Sequence, residues 1–286
     1  MKLGYSTWST QTMPLEEAIR ELARIGYDGV EIAVNPGWTG HVDDLDGAAR
    51  QRIRRLLDDT GVELSALVSG HRNQVAEPAE YEQGKQRYLR ELDLALEWAK
   101  PGLIPSMDVA VGGRSEQWEE LKQLIVERVG ETVALAAERN VVVALEPHVG
   151  QAIDRPEKML WVIEQVSSPF CKVNFDISHF EVQGIPMAHS IPLMAPHTEH
   201  VHIKDERGLA PNHEFLIPGE GEFDYVKYLT LMDRHGYRGH ISPEISIMVQ
   251  RRPNYDPIAA MEQTYRVVAD AFERSGVPRE RRALRG

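Results

Sequence analysis

The chain has 286 residues, 42% of them hydrophobic, and a single cysteine, Cys171, which is enough apolar material for a sizeable core and excludes an internal disulfide. Its formal net charge of −12 repels phosphate backbones and speaks against nucleic acid as a partner. No run reaches the ~18 apolar residues of a membrane span, and the opening MKLGYSTWST lacks the apolar stretch of a signal peptide, so no membrane contact and a reducing cytoplasm are expected.

Short β-like runs alternate with longer helical patterns along the chain. LGYST (3–7) precedes a helix over 14–26, and GVEIAV (29–34) precedes one over 45–61. ELSALVS (63–69) leads to 79–100, and LIPSMDVAVGG (103–113) to 116–140. VVVALEPH (141–148) leads to 155–166, while CKVNFDISHF (171–180) has a shorter, less helical sequel. EHVHIKD (199–205) passes through a loop to 222–236, and GHISPEIS (239–246) precedes a final helix over 257–276. Pro14 opens the first helix, and Gly26, Gly61 and Gly236 sit at helix ends. Strands separated by helices pair in parallel through right-handed crossovers. Eight such units predict one (β/α)8 barrel domain over 1–286, with a C-terminal helix and a short basic tail, PRERRALRG. That tail reads as solvated or partner-contacting. An open doubly wound sheet would want a Gly-rich phosphate turn after an early strand, and the first strand runs instead into STWSTQTMP.

Side chains alternate along a strand. Val201 and Ile203 oppose His200, His202 and Lys204; Val173, Phe175 and Ile177 alternate with Asn174, Asp176 and Ser178. Glu146 and His148 share a side with Ala144, and Ile241 and Ile245 oppose His240, Ser242 and Glu244. Four successive strands thus turn polar on the side that must face the barrel interior. Burying those charges unpaired would cost several kcal/mol each. A divalent cation removes the difficulty. Glu146, Asp176, His202 and Glu244 lie late in strands five to eight, where barrel enzymes build their sites. Three carboxylates and an imidazole suit Mn²⁺ first, with Mg²⁺, Co²⁺ or Zn²⁺ as alternatives.

LGYSTWS, IGYDGVEI (25–32), LEPH (145–148), NFDISHF (174–180), HVHIKD (200–205), PGEGEFDY (218–225) and GYRGHISPEIS (236–246) carry, in order and spacing, a resemblance to the xylose isomerase-like barrel superfamily, the sugar isomerase/epimerase and endonuclease IV relatives. The resemblance covers nearly the whole chain. It implies that the same quartet binds one divalent ion, and that Glu146 and Glu244 also move protons. It further implies that His179 and Arg207 hold substrate oxygens. The implied chemistry is proton abstraction beside a carbonyl through a metal-stabilised enediolate, followed by isomerisation or epimerisation. If the intermediate instead expels a β-substituent, the enzyme is a lyase on a 3-keto glycoside or C-glycoside, a class that resembles this chain and usually works beside a small second subunit. Barrels of the family are commonly homo-oligomers.

The sequence also departs from the family. Ketose 3-epimerases carry an Asn–Arg–aromatic–Glu run on strand five where this chain has LEPHVG. Endonuclease IV needs further His and Asp ligands; His71 is one candidate, without a complete second set. His148 either supports Glu146 or makes a loop hydrogen bond, or else it is an extra acid/base, and it bears most directly on isomerase against lyase. Lys204, Trp8 and His71 are candidate substrate contacts; Lys204 could instead pair with a carboxylate, and Trp8 and Trp38 could form an apolar wall or simply pack in the core or rim. Arg251, Arg252 and Tyr255 of the eighth loop could reach a substrate or partner. Glu31 is expected to play a hydrogen-bonded structural role and Glu220 to shape its loop. A non-enzymatic sugar-binding barrel would lack the complete quartet.

Overall fold

The computed structural model describes residues 1–282; the end of the basic tail, 283–286, lies outside the described residues. The elements run in order as β1 (Lys2–Leu3), α1 (Leu15–Ile25), β2 (Gly29–Ala33), α2 (Gly47–Thr60), β3 (Glu63–Val68), α3 (Pro78–Trp98), β4 (Ser106–Ala110), α4 (Trp118–Ala137), β5 (Val142–Glu146) and α5 (Pro156–Val166). β6 (Cys171–Asp176), α6 (Ser178–Glu181), α7 (Met187–Met194) and β7 (Thr198–Ile203) follow. A hairpin of β8 (Asp205–Arg207) and β9 (Glu214–Leu216) precedes α8 (Tyr225–Arg234), β10 (His240–Pro243), α9 (Ile247–Gln250) and α10 (Pro257–Ser275).

The eight long-range strands pair in parallel in the order β1-β10-β7-β6-β5-β4-β3-β2. The ring closes between its first and last members, where the Glu31 N–H donates to the Tyr5 carbonyl at 2.9 Å. The strand alternation explains the layers. Val30 and Ile32, Met107 and Val109, Val143 and Leu145, Val173 and Phe175, and Val201 and Ile203 form the apolar shell with the helices. Their neighbours on the other strand face are small or polar: Asp108 and Ala110, Ala144 and Glu146, Asn174 and Asp176, His200 and His202. The polar interior is thus a direct product of the period of two.

Several expected boundaries move, each for a local reason. β5 stops at Glu146 because Pro147 has no N–H to offer the ladder, so His148 stands in a loop. β6 ends at Asp176 because its Oδ1 accepts the Ser178 N–H at 3.0 Å and the Ser178 hydroxyl at 2.6 Å, which turns the chain into α6. Ser178 and His179 therefore lie on a short helix and not on a strand. β4 begins only at Ser106, and Leu103 and Ile104 are exposed in the preceding turn. The segment after β7, expected as a loop, contains the β8–β9 hairpin.

The basic tail, read above as solvated or partner-contacting, is anchored where it is described. The Arg279 guanidinium pairs with buried Asp28 at 2.8 Å, and the Arg282 N–H donates to the other Asp28 oxygen at 3.0 Å. Asp28 also accepts the Leu3 N–H at 3.0 Å. The tail thereby clamps the first two strands at the N-terminal face of the barrel. Among the described residues no helix is long and apolar enough to cross a membrane.

Candidate metal centre and active site

Register brings the quartet together. Asp176 on β6 and Ser242 on β10 both pair with His202 on β7, and the Glu244 N–H donates to the Ile203 carbonyl at 3.0 Å. One donor atom from each of Glu146, Asp176, His202 and Glu244 lies within 4.8 Å of the others, and all four residues are buried. His202 Nδ1 lies 3.1 Å from Glu146 Oε1 and 4.0 Å from Glu244 Oε1. On its far side, His202 Nε2 lies 2.9 and 2.8 Å from the two Glu31 oxygens. Lys204 sends its ammonium between Asp176 and Glu244, 2.5 Å from the latter. A cation placed between those carboxylates fits the electrostatics, and so does the hard oxygen-rich donor set.

The charges hold one another. Burial opposes ionisation of Glu146, yet the His202 hydrogen bond and the charges of His202 and Lys204 keep its carboxyl well below the usual range. Asp176 is lowered against burial, chiefly by Lys204, and Glu31 well lowered by His202 and His200. Burial would neutralise His202, but the charges of Glu31 and Glu244 and the hydrogen bonds of Glu146 and Glu31 hold its imidazolium well above the ordinary value. Lys204 is raised against burial by Asp176 and Glu244. His179 is pushed well below its ordinary value, first by burial and then by neighbouring His148.

Trp8, Arg72, Glu146, His148, His179, Lys204, Phe215, Glu244, Ser246 and Ile247 line a cavity of about 110 Å³ above the quartet. That is well below the roughly 300–1,000 Å³ of drug-sized ligand pockets and suits a compact substrate. The His148 and His179 rings lie 3.7 Å apart. His148 Nδ1 is 2.8 Å from the Val149 carbonyl, which can only accept, so Nδ1 carries the proton. A neutral His148 then has its lone pair on Nε2. Both ring nitrogens of His179 lack a hydrogen-bond partner among the described residues, which leaves them available to a ligand. Trp8 stacks on Trp38 with ring centroids 4.2 Å apart, and the Trp38 indole N–H donates to the Trp8 carbonyl.

Two residues expected as substrate contacts do not line this cavity. His71 does not face the cavity: its ring packs against Tyr81 and Tyr88, outside the barrel mouth. Its neighbour Arg72 enters instead, 3.5 Å from Glu146 and 3.6 Å from Asp108, with its guanidinium 4.9 Å over the Trp8 ring. Arg207 lies on the hairpin and donates to the Glu220 carbonyl at 2.7 Å, with Glu214 beside it, and it does not line the cavity. In the eighth loop, Arg252 pairs with Glu220 and the Tyr255 hydroxyl donates to the Ser9 carbonyl, so neither lines the cavity; nor does exposed Arg251.

Arg72, Asp108 and Phe215 were not singled out from sequence. Asp108 is fully buried on β4, neither of its oxygens is hydrogen-bonded among the described residues, and burial together with the Glu146 charge pushes its carboxyl up to about 8. Its signal was available: a lone acid inside SMDVA, the same pattern that drew attention to Glu146.

Known proteins share this architecture. The xylose isomerase-like TIM barrel family matches residues 19–270. Fructoselysine 3-epimerase of Escherichia coli O157:H7 is 24% identical over 284 residues, covering 92% of this chain and 97% of its own. Inosose dehydratase of Geobacillus thermodenitrificans (strain NG80-2) is 22% identical, covering 84% and 87%. A crystal structure of the IOLI protein with a binding zinc atom has the same fold, with a TM-score of 0.78 at 17% identity over 96% of this chain and 99% of that one. With its barrel closed and the family matched across most of its length, this chain belongs to the xylose isomerase-like TIM barrel family.

Proposed function

We propose that the protein is a divalent-metal-dependent sugar isomerase or epimerase. The observation that carries this reading is the convergence of Glu146, Asp176, His202 and Glu244 beneath a small cavity. These four residues would hold the ion, with Mn²⁺ as the first choice. Once bound, it supplies Lewis-acid polarisation of a substrate carbonyl, which makes the adjacent C–H acidic enough to lose its proton near neutral pH. Glu146, whose carboxylate form the nearby Lys204 ammonium favours, is the base that takes that proton. Glu244 follows directly on the end of β10 and returns a proton to the neighbouring carbon or to the other face of the same one. Lys204 and His179 hold substrate oxygens. Trp8 gives an apolar wall, and Arg72 closes the rim beside it. The epimerase relative supports the reaction class.

One observation favours a second reading. His148 lines the cavity with Nδ1 committed to the Val149 carbonyl, so Nε2 is the nitrogen left to carry a proton to a departing β-substituent, and a relative is a dehydratase. In that reading the protein is a lyase on a keto-sugar or keto-glycoside.

Incubation of candidate keto-sugars with enzyme and Mn²⁺ in D₂O tests both. Deuterium at the carbon beside the carbonyl, together with epimer or aldose–ketose formation, supports the first reading; loss of a substituent supports the second. Glu146→Gln and Glu244→Gln are each expected to lower exchange by about 10²–10⁴-fold. Full exchange and full Mn²⁺ binding in both variants would remove the site assignment.

A further inference from the structure

We infer that Glu31 is a positioning residue for the metal centre, fixing His202 with its proton on Nε2 and its Nδ1 lone pair toward Glu146, Asp176 and Glu244. The inference rests on the metal-dependent reading above and concerns a residue outside the quartet.

Glu31 sits on β2, across the barrel from β7, with no exposure to solvent. A carboxylate in that position must be paired, and its hydrogen-bond partner is His202 Nε2 at 2.9 and 2.8 Å. An ionised carboxylate only accepts, so Nε2 must carry a proton. A ring that binds an ion gives up one proton to do so, and with the remaining N–H on Nε2 the lone pair is on Nδ1. Nδ1 is also the nitrogen that faces Glu146 and Glu244. The order carboxylate, imidazole, ion is the arrangement that orients a histidine ligand and raises its basicity.

His200 flanks the same carboxylate without completing it. Its Nε2 is 3.1 Å from Glu31 Oε1, but the angle does not make a hydrogen bond. Glu31, His200 and His202 also place one donor each within 4.8 Å of one another. An ion there would need the His202 Nε2 lone pair, which is incompatible with Nε2–H. The two arrangements therefore make opposite statements about one ring.

Histidine-selective ¹⁵N labelling and a long-range ¹H–¹⁵N correlation spectrum of the Zn²⁺-loaded wild-type protein read that ring directly. The expected result is one Zn²⁺ per chain, bound at His202 Nδ1, with the proton on Nε2. A proton on Nδ1, or two Zn²⁺ per chain with His200 shifted, overturns the inference. Glu31→Gln is the complementary variant, because a glutamine amide can donate to Nε2 and so permits the wrong tautomer. Its Zn²⁺ affinity, measured against a chelator, is expected to fall about 10–100-fold, while His200→Gln binds as the wild type does. Equal weakening in both variants points to packing alone and overturns the inference. A wild-type protein that binds no Zn²⁺ or Mn²⁺ overturns the metal-dependent reading itself. Bound metal on the wrong nitrogen overturns the inference alone.

Discussion

His148 is defined by two contacts of different kinds. Its Nδ1–H is spent on the Val149 carbonyl, and its ring lies against His179 above the quartet. Its hydrogen bond goes to its own loop and not to Glu146. Were it an acid or base, His148→Asn would lower turnover about 10²-fold and leave Mn²⁺ affinity intact; isothermal titration alongside the exchange assay separates the two quantities. Loss of metal together with turnover would instead make it part of the ion's surroundings. Arg72 is the contrasting residue. It could not be found by strand alternation because it stands in the loop after β3, and nothing in the spacing of SGHRN tells which of His71 and Arg72 turns inward. Size and chemistry decide: Tyr81 and Tyr88 make an apolar slot for the His71 ring, whereas Arg72 finds Asp108 and Glu146.

At the scale of elements, the strands were legible because each repeats a period of two that only an inside and an outside can satisfy. What was not legible is where each strand stops. Pro147 and the Asp176–Ser178 turn end β5 and β6 through single residues, and the β8–β9 hairpin carries Arg207 off the cavity. The β3–α3 connection shows how an element can be built on buried titratable groups. Glu91 of α3 accepts from the Ser69 hydroxyl at 2.5 Å and the Gly70 N–H at 3.0 Å, and burial pushes its carboxyl up to about 7. His71 in the same connection is lowered by burial to about 4. These two act with opposite sign. The stability held by the raised Glu91 is present below the unfolded value of 4.5 and is lost as pH rises toward 7. The stability held by neutral His71 is present above 6.5 and is lost as pH falls toward 4. At roughly 1.4 kcal/mol per unit, the His71 contribution is about 3 kcal/mol. In urea unfolding, the advantage of wild type over His71→Leu should therefore shrink by about 3 kcal/mol from pH 7 to pH 4. A difference independent of pH would show that His71 titrates in the fold as it does in the unfolded chain, and an advantage that grows on acidification would show that it is protonated there.

At the scale of the whole molecule, the barrel separates chemistry from closure. The quartet and the cavity lie at the C-terminal ends of the strands, and the two ends of the chain meet at the opposite face. There Asp28, 1% exposed, receives Leu3 N–H from the first strand and Arg279 and Arg282 from the tail. Arg279 also donates to the Gly26 carbonyl at 2.9 Å, just after α1. The tail is thus a strap across the seam where β1 and β2 share little direct pairing, the Ser6–Glu31 bridge being isolated. Removing one partner of a buried pair leaves the other charge uncompensated and costs about 3–5 kcal/mol. Arg279→Ala should lower the unfolding free energy by that amount while leaving Mn²⁺ affinity at the far face unchanged. The double variant with Asp28→Asn should be less destabilised than the sum of the two single variants, because the second change removes the orphaned charge. Strict additivity in that cycle would mean that Arg279 acts through its backbone carbonyl contact and that the strap does not depend on the ion pair.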